Sequence, residues 1–323
     1  MNDIRYQELY GWLSALLGHS VGNVWRLGGD ASLRRYFRTQ YGMAVDSPPE
    51  SQKNREFVAI NAELARAGVR VPAVLACDFQ RGFMLLEDLG STHFFEVAVG
   101  EYQSSYYELA LTLLPRIASL RTEDLPLFDR AFILNELGIF TEWMLGRALN
   151  LTLTAGEKAM LERTFSELVT VCQEQPQIAM HRDFHCRNLM VTDTGLAVID
   201  YQDMVTGPLT YDLASLLYDC YVVLDPRLRD SLMHKAYAAY VSAGIGASLG
   251  FSDFERYTRL TALQRHIKVL GIFCRLSLRD NKQGYLQYLP QVLGYVLEAC
   301  ERYAAFRPLG DFLKTKVQGR LPC

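Results

Sequence analysis

The sequence predicts an α+β chain of two lobes, a small β-rich lobe over residues 1–90 and a larger helical lobe over residues 91–323. Three observations carry this. Short β-type segments bounded by turn residues fill most of the first ~90 residues, with helical-period stretches at the start and between the strands. From Ser91 onward the apolar residues recur mainly at helical spacing. With 323 residues the chain is roughly twice the commonest domain size, so it has ample length for a core shared by two lobes.

The elements follow in order. MNDIRYQELYGWLSALLGHS reads as an amphipathic helix with Ile4, Leu9, Trp12, Leu13, Leu16 and Leu17 on one face. NVWRLGGDASLRRYFRTQYGMAV reads as two β segments joined around Gly28, Gly29 and Asp30, with Val24, Leu27, Tyr36 and Val45 as strand formers. NREFVAINAELARAG is helical, since Phe57, Ile60 and Leu64 repeat at helical spacing and Gly68 supplies a stop. VRVPAVLACDFQRGFMLLEDLG gives two more strands turning at Arg81-Gly82, and the nearly unbroken apolar run FMLLE belongs at the centre of a sheet. Among the helices that follow, Thr154 three residues before Glu157 is a capping box. NLMVTDTGLAVIDY interrupts them as a hairpin turning at Asp193-Thr194-Gly195. Three or four more helices are expected after it, ending near Phe306, and no fixed-period repeat is present.

Half the residues are apolar or aromatic and 21% are charged, which excludes disordered and low-complexity classes. A net charge of −3 gives no reason to expect nucleic acid or an anionic membrane as partner. The 7 cysteines lack C-x-x-C spacing and mostly sit in apolar stretches, as expected of reduced thiols in a cytoplasmic protein. The N-terminal helix carries Asp3, Arg5 and Glu8 where a signal peptide needs an apolar run, and no stretch approaches the ~18 residues of a membrane span.

Chemistry concentrates around the hairpin. His181-Arg182-Asp183-Phe184-His185-Cys186-Arg187-Asn188 precedes it, and Asp200 follows directly on the strand Ala197-Val198-Ile199. The pattern H-x-D-x-x-x-x-N arises by chance in about one shuffled chain of this composition in a hundred, before Asp200 is required as well. Phosphoryl transfer from ATP needs a carboxylate to orient the acceptor hydroxyl and take its proton, and hard oxygen ligands for Mg²⁺. Asp183 suits the first role. Asn188 and Asp200 suit the second, because a tight hairpin brings the residue before its first strand close to the residue after its second.

These residues resemble the aminoglycoside phosphotransferase-like branch of the protein-kinase-like fold. There the catalytic loop is H-x-D-x-x-x-x-N and the metal Asp opens I-D-x-x-D, matched here by Ile199-Asp200-Tyr201-Gln202-Asp203. GPLTYDLASLL resembles the family's bracing helix, which implies a structural role for Asp212 alongside His181. The resemblance covers nearly the whole chain and implies a bilobal protein-kinase-like fold, with ATP and Mg²⁺ as cofactors. LGGDASLRRYFR, the SPPE loop, GFMLLEDLG, IDYQDMVTGPLTYDLASLLYD and LQRHIKVLGIFCRL are most similar to the bacterial anomeric sugar kinases of cell-wall recycling. That similarity implies phosphorylation of the C1 hydroxyl of N-acetylmuramate and N-acetylglucosamine, small-molecule amino sugars. The rival readings are a kinase of aminoglycosides or other amino alcohols and a nucleotide-binding pseudokinase.

The nucleotide loop departs from the pattern. The only lysine in residues 1–100 is Lys53, outside the strands, so the strand lysine that pairs nucleotide phosphates in kinases is missing. Lys53, Arg34 or Arg35 could supply its charge, or backbone and Mg²⁺ could suffice. Glu56 then has no lysine to pair. Gly29, Asp30, Ala31 and Ser32 are the candidate phosphate cover, and the linker Glu87 to Leu89 is expected to offer backbone groups to adenine. Acceptor contacts are expected from Asp183, His185, Asp203, Arg265 and Lys268. Residues 251–323 hold twelve Lys and Arg against six Asp and Glu, a net of +6, leaving −9 on the rest. This balance favours an anionic or neutral sugar over a polycation, with Arg265, Lys268 or Arg275 available to meet a carboxylate.

Overall fold

The computed structural model describes residues 3–28, 34–100 and 103–322. It separates into two compact units, Met1–Phe94 with Asn188–Asp203, and Phe95–Arg187 with Met204–Cys323. The hairpin segment from Asn188 thus belongs with the N-terminal unit, although the residues on either side of it belong to the other.

The smaller unit opens with helix α1 (Ile4–Leu17), capped by the Asp3 side chain, which accepts from the Tyr6 N–H. Only Leu9 and Leu13 of its expected apolar face are buried, whereas Ile4 and Leu16 are 66% and 47% exposed. Tyr6, Tyr10, Trp12 and Leu17 pack half-buried against the same cluster. Strands β1 (Trp25–Arg26), β2 (Arg35–Thr39), β3 (Gly42–Asp46), β4 (Val74–Asp78) and β5 (Phe83–Leu86) form one sheet in the order β1-β2-β3-β5-β4. All its neighbours pair antiparallel. Strand β5 is buried along its whole length, as its apolar run requires. The turn into it needs Gly82, because φ there is +71° and a Cβ would stand 2.0 Å from the Ser47 carbonyl oxygen. Helix α2 (Asn54–Arg66) buries Phe57, Ile60 and Leu64 and stops at Gly68, φ +74°.

The larger unit contains α4 (Gln103–Ala118), which follows the short α3 (Phe94–Val97), then α5 (Arg130–Ile139) and α6 (Ala155–Gln173). Helix α5 runs into a π-helical stretch, Phe140–Ala148, and the capping box of α6 is present at Thr154 and Glu157. Strands β6 (Gln177–Met180) and β9 (Val205–Pro208) pair with each other, while β7 (Leu189–Thr192) and β8 (Gly195–Val198) form the expected hairpin in the smaller unit. The β6–β9 ribbon was not expected. Its strands have four residues each and no turn joins them, so no local signal marks the pair. Helices α7 (Tyr211–Leu217), α8 (Pro226–Ser242), α9 (Phe251–Asp280), α10 (Leu289–Arg302) and α11 (Arg307–Lys316) complete the chain. Among the described residues there are thus five α-helices after the hairpin, and the last of these ends ten residues beyond Phe306.

The 30-residue helix α9 is the axis of this unit, with buried residues around most of its circumference. Gly271 lets it approach the start of the π-helical stretch, since a Cβ there would stand 2.5 Å from the Ile139 carbonyl. Cys172, Cys186, Cys220, Cys274 and Cys300 are buried free thiols and Cys77 is an exposed one. No helix among the described residues is long and apolar enough to cross a membrane.

Candidate active site

In the larger unit the loop after β6 carries His181, Arg182 and Asp183. Its backbone is held by a carboxylate from α7: Asp212 accepts from the N–H of His181 at 2.6 Å and of Arg182 at 2.9 Å. Burial pushes the Asp212 carboxyl up, against the opposing pull of His181 and these two N–H groups. A second carboxylate, Asp219, accepts from the N–H of Cys186 at 2.9 Å and of Tyr221 at 2.8 Å. Between these anchors Arg182 adopts φ +75°, a left-handed conformation that a long side chain rarely takes. The His181 ring packs edge-on to Phe184 and the His185 ring edge-on to Tyr221. Arg187 closes the loop, donating to the Tyr288 hydroxyl at 2.9 Å with its guanidinium 3.8 Å from the Tyr221 ring centroid.

Behind Asp183 lies a buried ionic cluster. Glu136 of α5 is 7% exposed and accepts from Arg182 at 2.9 Å and from Lys268 at 3.1 Å, and Lys268, itself 5% exposed, also donates to the Tyr211 hydroxyl at 3.2 Å. Arg265, 3% exposed, stands 3.5 Å from Asp183, whose own side chain is 45% exposed. Burial alone would raise the Asp183 carboxyl, but Lys268, then Arg265, His185 and Arg182 hold it well below the ordinary carboxylate range. It is therefore ionised throughout the physiological range. Burial, the largest influence, keeps His185 below its ordinary value.

Asp183 lines a cavity of about 410 Å³ together with Glu136, Arg182, Lys268 and Arg275, and with Phe132, Ile139 and Ile272 as apolar walls. That size suits a small ligand. Three cations face two carboxylates in it, so the cavity is net positive.

The smaller unit holds the other candidates. Pairing of Leu189 with Val198 and the hydrogen bond from Ile199 N–H to Asn188 O at 3.0 Å bring Asn188 beside the residue preceding Asp200. Asp200 is exposed, has φ +65°, and accepts from Gln202 at 2.9 Å through Oδ1. Among the described residues no group of three or more His, Cys, Asp or Glu could hold a metal. One carboxylate and one amide oxygen nevertheless fit Mg²⁺, which keeps several waters and phosphate oxygens in its own shell. Arg34 is buried, donates to Ser47 at 3.0 Å and to Gln202 at 3.2 Å, and lies over the Phe57 ring, so Gln202 links it to Asp200. Lys53 instead pairs with Asp203 at 2.8 Å, with both side chains at least half exposed. Arg35 is taken up by Asp3 and Asp46, and Glu56 is exposed on α2. Glu87 pairs with Arg70 and its N–H donates to Ala73 O at 2.8 Å. Leu89 follows in the partly exposed segment after β5. Gly29, Asp30, Ala31 and Ser32 lie outside the described residues.

The structure brings Asp183, Arg265 and Lys268 together in one unit, and Asn188, Asp200, Arg34 and Asp203 in the other. Sequence reasoning missed Glu136, Asp219 and Tyr211. A lone glutamate inside the apolar run FILNELGIF was the available signal for Glu136.

A model of the phosphotransferase enzyme family matches residues 23–243. A protein of Pseudomonas aeruginosa named N-acetylmuramate/N-acetylglucosamine kinase is 36% identical over 98% of this chain and 98% of its own length. One of the same name from Pseudomonas putida is 34% identical over 97% and 96%. A choline/ethanolamine kinase family protein of Mesorhizobium loti has the same fold, with a TM-score of 0.63 and 17% identity over 98% of this chain and 99% of that one. The match across two thirds of the chain, containing the loop, the hairpin and the bracing carboxylates, means that the chain belongs to the phosphotransferase enzyme family.

Proposed function

We propose that this chain transfers the γ-phosphoryl group of ATP to the anomeric hydroxyl of N-acetylmuramate and N-acetylglucosamine. The observation that carries the reading is the Asp183 carboxylate, kept ionised by buried cations on the wall of a net-positive cavity of about 410 Å³. The names of the relatives at 34% and 36% identity support the choice of sugar.

Asp183 accepts a hydrogen bond from the acceptor hydroxyl and takes its proton as that oxygen attacks the γ-phosphorus, while ADP leaves. Asn188 and Asp200 would hold Mg²⁺, which when bound would neutralise charge on the phosphate oxygens. Arg34, kept in place by Ser47 and Gln202, supplies the cation that the strand lysine gives other kinases. A positive cavity disfavours polycationic aminoglycosides.

The test is ATP consumption with each sugar, followed by NMR of the product. Phosphorus coupled to the anomeric proton is the expected result. Phosphate on another hydroxyl, or strong phosphorylation of kanamycin-type amines with none of free amino sugars, would overturn the reading.

A further inference from the structure

Three cations of α9 were open from sequence as partners for an acceptor carboxylate, and the structure separates them. Arg265, Lys268 and Arg275 fall within about 80° of the helix circumference, so they form one stripe. Arg265 is occupied by Asp183 and by the Arg182 carbonyl, each at 3.5 Å. Lys268 is occupied by Glu136 and Tyr211. Arg275 is different. It lines the same cavity, yet among the described residues its buried Nε has no hydrogen-bond partner. Two carboxylates lie in its neighbourhood, and both are committed elsewhere: Glu142 to Arg147 at 2.9 Å and Asp280 to Arg279 at 2.7 Å. A guanidinium N–H removed from water without an acceptor is costly, and a carboxylate satisfies it in two parallel hydrogen bonds.

We propose that Arg275 recognises the carboxylate of an acidic acceptor sugar, the group that distinguishes N-acetylmuramate from N-acetylglucosamine; this rests on the kinase reading given above. Arg275 stands two helical turns, about 10 Å, beyond Lys268. Side chains on a helix lean toward its N-terminus, so the Arg275 head is carried back toward Lys268 and the Asp183 end of the cavity. A ligand with a hydroxyl at Asp183 and a carboxylate about one pyranose away satisfies both ends, with Ile272 and Phe132, which line the same cavity, as apolar contacts for the ring. N-acetylglucosamine meets Asp183 in the same way but leaves the buried Arg275 Nε–H without an acceptor.

The experiment compares kcat/KM for N-acetylmuramate, its lactyl methyl ester and N-acetylglucosamine in the wild type, Arg275→Met and Arg275→Lys. Ratios between substrates on one preparation do not depend on the folded fraction. The acid-to-ester ratio should fall by about tenfold or more in Arg275→Met, chiefly through KM, and recover in part in Arg275→Lys. An unchanged ratio in Arg275→Met, with all three sugars still phosphorylated, overturns the role of Arg275 and leaves the kinase reading intact. A wild-type protein that phosphorylates none of the three overturns the kinase reading, and this inference with it.

Discussion

The two candidate halves are built differently. In the larger unit the groups around Asp183 are fixed at folding: Glu136, Arg265 and Lys268 are each 7% exposed or less, and the loop backbone hangs from Asp212 and Asp219. In the smaller unit Asp200 is exposed and accepts from Gln202, and the Lys53–Asp203 pair is half in water. Burying Arg265 and Lys268 beside Glu136 costs desolvation, and what it supplies is a partly exposed base held ionised by fixed cations. Half-buried Asn188 and exposed Asp200 would supply only part of a metal's shell. The first half is preorganised, and in the proposed reaction the second is completed by its ligand.

The contrast is broken most severely at Asp200. Asp200→Ala removes the only carboxylate of the hairpin pair and should lower turnover about a thousandfold, with loss of the Mg²⁺ dependence of ATP binding. Titration of nucleotide with and without Mg²⁺ checks this, and an unaltered Mg²⁺ dependence would count against the ligand role.

Glu136→Gln strikes the preorganised half. It leaves Arg182 and Lys268 with an uncompensated buried charge and should cost about 3 kcal/mol of stability, read from denaturant unfolding. A loss below about 1 kcal/mol would mean that water already reaches the cluster.

A pH profile sharpens the same point. Burial raises the Asp183 carboxyl and Lys268 is the largest of the charges that lower it, so the carboxylate persists as pH falls until well below the ordinary range. Wild-type kcat/KM should therefore show no acid limb from this group above about pH 5. In Lys268→Met the balance tips toward burial, and the limb should move up by about one pH unit or more. A limb that stays in place would detach Lys268 from the ionisation of Asp183.

How much of this was readable depends on the range of the interactions. The hairpin from Leu189 to Val198 and the triad Asp183, Asn188, Asp200 rest on local spacing, which sequence carries directly. Phe83 to Leu86 announced a buried strand because all four residues are apolar. Glu136 was hidden because its partners are 46 and 132 residues away, and a glutamate on a helix ordinarily points to water. Arg265 and Lys268 were read as open cations for the same reason. The left-handed backbone at Arg182 could not be anticipated, since it is imposed by Asp212 thirty residues downstream. The π-helical stretch likewise begins where the chain packs against α9, more than a hundred residues away.

A smaller effect separates two basic residues of the smaller unit. Arg34→Met should raise KM for ATP several-fold, about 1 kcal/mol, whereas Lys53→Met should change it by less than about twofold, because that ion pair is half exposed. The reverse ranking would assign the phosphate cation to Lys53.

The most direct test of the division is Asp183→Asn, which keeps the shape of the side chain but cannot take a proton. Turnover and Mg²⁺-ATP affinity should be measured on the same preparation, the latter by calorimetry. Turnover should fall by about 10²- to 10⁴-fold while the Kd for Mg²⁺-ATP stays within about twofold of wild type. Near-wild-type turnover, or a parallel collapse of nucleotide affinity, would contradict a base held in one half and a nucleotide and metal held in the other.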